Sequence, residues 1–217
     1  MKYKSVHRLS LVAVALILLL AVIPSSCQRG AKVGNVSKID TIPWKEMRWK
    51  LKTLVYNYYN NDQHDSLVIM SNVLMDSCRK HEDWDNYYET WIRLGEEYVY
   101  VGHSDSALME AQKMHDEALS QGHDFGLAGA DFVNAVVYES QENTRESSHL
   151  LRKVLDKLKG VSRPTFENKV YTYYLTELGD LPDYPEMKRA LKEWRQMLDS
   201  LSQNLDTTTV LKDNLLN

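Results

Sequence analysis

The chain has 217 residues, 43% hydrophobic and 26% charged, enough for one domain with a sizeable core. Its 26 Lys and Arg stand against 30 Asp and Glu, a net charge of −4 that argues against a general nucleic-acid or anionic-membrane surface. Two cysteines, Cys27 and Cys78, exclude a disulfide framework.

Residues 1–27 read as a targeting segment. Lys2, Lys4 and Arg8 form a basic start, and Leu9 to Ile23 is an apolar run too short for a comfortable membrane span and suited to a signal-peptide core. The run ends in Pro24-Ser25-Ser26-Cys27, which resembles the lipobox of bacterial lipoproteins, with proline where leucine is usual. That resemblance implies an acylated Cys27 as mature N-terminus, and each buried methylene would add about 0.8 kcal/mol to membrane residence. Loss of the three leader cations leaves 23 basic residues against 30 acidic, a net charge of about −7.

Residues 28–42 contain Gly30, Gly34 and Ser37 and few large apolar side chains, so they read as a linker. No acid follows Cys27 closely, a feature similar to internal, periplasm-facing lipoproteins of the Bacteroidetes type. Pro43 opens the first helix of an array expected over 43–203. The first pair of helices is expected at Trp44 to Asn60 and His64 to Arg79. Asp83 is expected to cap the second pair and Ser104 to cap its partner helix after Gly102. Gly122 ends that helix, and the third pair runs from Phe125 to Gln141 and from Thr144 to Lys159. Pro164 begins the fourth, whose turn holds Gly179 to Pro185. Residues 204–217 form a polar tail in which Val210, Leu211, Leu215 and Leu216 suit a short capping helix. Cys78 sits in an apolar helical pattern and reads as a buried small hydrophobe.

Trp91, Leu94, Gly95 and Tyr98 follow helical steps, with Ala107 twelve residues after the glycine. This W-x2-L-G-x2-Y pattern resembles the tetratricopeptide repeat, a helix-turn-helix unit that stacks into a solenoid. Shifts of forty residues find matching chemistry at Leu51, Val55 and Tyr58, at Ala135 and Tyr138, and at Leu175, Leu178, Leu191 and Trp194. The resemblance implies an all-α, right-handed α-solenoid of about four hairpins, with longer helices filling out the usual repeat of about 34 residues. Small residues at Gly95 and Ala107 predict a tight crossing of the second hairpin. Ala111 and Leu119 replace the phenylalanine and proline of the repeat.

None of the common nucleotide-binding, metalloprotease or hydrolase motifs occurs, and no two histidines stand four apart, so neither catalysis nor a cofactor or metal is expected. In the repeat family the first helix of each hairpin lines a concave groove. That resemblance assigns Trp49, Lys52, Tyr56, Tyr59 and Asn60, then Glu89, Ile92, Glu96 and Tyr100, then Phe132 and Val136 to the groove. Tyr56 and Gly129 occupy positions at which a clamp for a terminal carboxylate would need polar or basic side chains. The function expected is a lipid-anchored envelope scaffold holding a protein or peptide partner, without nucleic acid. The alternatives are a sensory input module, like similar arrays ahead of histidine kinases or regulators, and an enzyme or glycan-binding lipoprotein.

Overall fold

The computed structural model describes residues 43–204; Cys27, the linker and the expected helix around Val210 to Leu216 lie outside them. The described residues form an array of eight helices: α1 (Trp44–Asn60), α2 (His64–Lys80), α3 (Trp84–Tyr100), α4 (Ser104–Gln121), α5 (Asp124–Ser140), α6 (Thr144–Leu158), α7 (Pro164–Gly179) and α8 (Tyr184–Asn204). Each packs on the next, as a solenoid of helical hairpins requires.

The helices begin at residues 44, 64, 84, 104, 124, 144, 164 and 184, so the forty-residue hairpin divides into two equal halves of 20. Seventeen-residue helices such as α1, α2 and α3 account for the length beyond the usual repeat. The turns explain the regularity. Asp62, Glu82, Gly102, Gly122 and Glu142 all take positive φ, between 52° and 80°. The amide of the following residue reaches back to a carbonyl five positions earlier, as in His103 to Tyr98 at 2.7 Å and Asn143 to Tyr138 at 2.9 Å. This is the Schellman stop, in which a left-handed residue lets the last helical carbonyls find donors. Of these five, Gly102 and Gly122 supply the left-handed residue without a Cβ penalty.

Two expected caps differ from the outcome. Ser104 is the first residue of α4, and His103 precedes it without a side-chain cap. Asp83 stands in the N-cap position of α3 but caps no backbone amide, because its carboxylate is taken by side chains of α1 and by Asn86.

The core is densest around α5, which is apolar on nearly all sides and therefore buried. Its glycines let α3 approach closely. A Cβ added to Gly126 would stand 2.7 Å from Ala118 and Tyr88, and one on Gly129 would overlap the Ile92 side chain. Gly95 belongs to the same seam: its missing Cβ would lie 2.7 Å from Val133 of α5. The closest approach at Gly95 is therefore to the next hairpin, while Ala107 is fully buried on α4. On the far side of α5 the seam is filled by rings, with Phe125 and Phe132 edge-on to Phe166 at 5.3 and 5.1 Å.

The packing set holds in the first three hairpins and thins in the fourth, where Leu178 is still buried and Trp194 still packs on the core. Leu151 and Leu158 of α6 are 0% and 2% exposed, whereas Leu191 and Leu198, forty residues on, are 47% and 41% exposed. Leu191 was expected inside; it is exposed because among the described residues no further helix packs on that face of α8.

Candidate partner-binding groove

On α1, Lys45, Trp49, Lys52 and Tyr56 recur at three- and four-residue steps and share one face. Val55, one position off the stripe, turns into the core and is buried. Opposite stand Glu89 and Arg93 of α3, and the space between them is a cleft of about 520 Å³. A second cleft of about 370 Å³ opens between α3 and the start of α7, where Phe125, Phe166 and Lys169 join the walls. Lys52, Glu89 and Arg93 line both, so the two clefts form one groove.

Polar contacts hold α1 against α3. Lys52 Nζ donates to Asn86 at 3.0 Å and Glu89 at 3.2 Å. Asp83 accepts from Trp44 Nε1 at 3.0 Å and from Arg48 at 2.6 Å. Burial alone would raise the Asp83 carboxyl, but hydrogen bonds from Asn86, Arg48 and Trp44 outweigh it and hold the group below the usual carboxylate range. Across the groove, Arg163 pairs with Asp85, and Lys169 reaches Glu96 at 2.5 Å. Arg93 is different: its guanidinium lies 6.0 Å from the Tyr56 ring centre and 5.6 Å from that of Tyr59. Burial raises the Tyr59 hydroxyl pKa, Glu96 adds to the rise, and Arg93 opposes it.

The structure brings Trp49, Lys52 and Tyr56 together on the first cleft and places Glu96 on the second, with Tyr59 joined to them through Arg93. Trp49, Tyr56 and Tyr59 are 47%, 55% and 43% exposed. Three expected residues are corrected. Ile92 borders the second cleft but is buried against Gly129, and Val136 is buried in the α5 core. Phe132 is buried too, its ring covered by Phe166, Tyr173 and the Lys169 ammonium at 5.5 Å. Tyr100 is exposed but lines neither cleft; its ring lies 6.1 Å from that of His64, whose Nδ1 pairs with the buried Glu97 carboxylate.

Sequence reasoning missed Lys45, Arg48, Arg93, Arg163, Phe166 and Lys169. The basic stripe of Lys45, Arg48 and Lys52 was legible at helical spacing. Arg93 was hidden inside the Trp91 to Leu94 signature, where attention falls on packing. No group of three or more metal-ligating side chains converges among the described residues.

No family model matches the chain. Over 158 residues it is 28% identical to the formate-dependent nitrite reductase complex bifunctional subunit NrfFG of Haemophilus influenzae, a match covering 68% of this chain and 39% of that protein. The chain thus spans about two fifths of that relative's length. The array of hairpins is compatible with a tetratricopeptide-like architecture.

Proposed function

We propose that the chain is a lipid-anchored scaffold of the cell envelope that holds a protein partner in its concave groove. The observation that carries this reading is the cluster of exposed rings on α1, with Trp49 and Tyr56 bordering a cleft of about 520 Å³ and Tyr59 joined to them through Arg93. Such rings offer large contact area at little conformational cost, and exposed clusters of this kind mark interaction sites. The similarity to a protein named as a subunit of a complex supports an assembly role. Attachment rests on the basic start, the apolar run and Ser25-Ser26-Cys27. No described helix is long and apolar enough to cross a membrane, and acylation of Cys27 supplies the tether.

The test is a photo-crosslinking side chain placed at Trp49 in the native envelope, with identification of the captured protein. Capture should fall at least about tenfold when Tyr56 and Tyr59 are both changed to alanine, since truncating true anchors costs about 2 kcal/mol or more. A crosslinker at Ile69 on α2 that captures the same protein as well as the groove site would move the site elsewhere. Cys27→Ser should release the protein from the membrane fraction; retention at full precursor size would indicate an uncleaved anchor instead.

A further inference from the structure

We infer that the groove takes an acidic, extended protein segment, and that Arg93 seats a carboxylate side chain of that segment; this rests on the groove being the partner site. The first ground is charge. The groove walls carry six basic residues, Lys45, Arg48, Lys52, Arg93, Arg163 and Lys169, against Glu89 and Glu96, and with Asp83 and Asp85 paired to Arg48 and Arg163 the excess is two positive charges, in a chain of net charge −4. The local excess is opposite in sign to that of the whole molecule, which is how a surface selects an acidic partner and steers its approach.

The second ground is which of these cations are already satisfied. Arg48 is held by Asp83, Lys52 by Glu89, Arg163 by Asp85 and Lys169 by Glu96. Arg93 and Lys45 have no carboxylate partner among the described residues. Arg93 is also half-buried between the faces of Tyr56 and Tyr59. Rings on its face steady the guanidinium while leaving its planar fork of N–H donors for a ligand, and that fork matches a carboxylate with two parallel hydrogen bonds.

The third ground is position. Arg93 stands on the wall shared by both clefts, so the groove continues past it in either direction. A segment can therefore run through the site, which suits an aspartate or glutamate within a chain. Trp49 and Tyr56 on one side and Phe166 on the other offer apolar contact to neighbouring residues. A nucleic-acid strand would present a ladder of phosphates to a groove with two unpaired cations on an acidic protein, an unfavourable match.

The experiment is fluorescence anisotropy with the purified full chain in detergent. The probe is a labelled, acetylated and amidated Glu-Leu-Asp-Ala repeat of about twelve residues, about 40 Å when extended at about 3.3 Å per residue. Binding is expected, weakening at least about tenfold in Arg93→Ala and steeply with added salt. Lys45→Glu, at an exposed position, should weaken it about threefold or more with folding untouched, and so decides the matter if Arg93→Ala fails to fold. No binding to the wild-type chain, equal binding by the Gln-Leu-Asn-Ala counterpart, or equal binding by both variants would overturn the inference. Tighter binding of a single-stranded oligonucleotide would overturn it as well. If crosslinking from Trp49 in the envelope persists at full strength in Arg93→Ala, the groove remains the partner site and the acidic-segment inference alone fails.

Discussion

The Lys169 ammonium on α7 lies 2.5 Å from the Glu96 carboxylate on α3, although α5 falls between those helices in the order of the array. Glycine draws α3 onto α5 and phenylalanine rings fill the seam between α5 and α7, yet the start of α7 still bends round to face α3. Arg163 and Asp85 make a second bridge of the same kind. A double-mutant cycle between Glu96→Gln and Lys169→Met should give a coupling of about 0.5 to 1 kcal/mol that shrinks at high salt, as expected for a partly exposed pair. Additive effects would mean that α7 does not reach α3 in solution.

Gly95→Ala should destabilise the protein by about 1 to 3 kcal/mol, because its Cβ would lie 2.7 Å from Val133 Cγ2 in a packed seam. Adding Val133→Ala removes the obstructing methyl groups. The double variant should then be less destabilised than the sum of the two single changes, as read from urea midpoints.

Glu142 is exposed, has φ 57° and makes no side-chain hydrogen bond or ion pair among the described residues. Left-handed backbone costs a residue with Cβ about 1 to 2 kcal/mol, part of which glycine returns through its freer unfolded chain. Glu142→Gly is therefore expected to stabilise by about 0.5 to 1 kcal/mol. Gly102→Ala, at φ 80°, should do the reverse.

Glu177 on α7 is 4% exposed, with Oε2 unpartnered. Burial pushes its carboxyl above the usual range and Asp180 adds to the rise, while Thr144 and Ser147 partly oppose it. The folded state thus holds the proton more tightly than the unfolded chain. Stability from this group is complete below the ordinary glutamate value of about 4.3 and is lost as pH rises through the raised folded value. Glu177→Gln should accordingly raise the melting temperature at pH 7.5 more than at pH 4. An equal change at both would place the carboxylate in contact with water.

Leu151→Ala should cost about 2 to 5 kcal/mol, since the side chain is fully buried. Leu191→Ala, at the matching place in the last hairpin and 47% exposed, should change stability by less than about 0.5 kcal/mol. A large effect at Leu191 would show that residues beyond 204, or a second molecule, cover that face of α8.

Much of the fold was readable because helix and turn are decided locally. The helical spacing of Trp91, Leu94 and Tyr98 and the stops at Gly102 and Gly122 mark hairpins without knowledge of their neighbours. The basic start and Ser25-Ser26-Cys27 likewise speak for themselves as an expectation. The sequence also put Trp49, Lys52 and Tyr56 on one face, where the first cleft lies. Which side chains remain open to a partner was another matter. Lys52, Ile92 and Phe132 share one register, yet Lys52 reaches Asn86 and Glu89 beside the groove, Ile92 sinks against Gly129, and Phe132 is covered by Phe166 and Lys169. Their fates depend on the residue across the seam from the following hairpin, a contact that the spacing within one helix does not contain. For the same reason only the stacked array revealed that Gly95 meets Val133, and that Arg93 stands between two tyrosines on the wall common to both clefts.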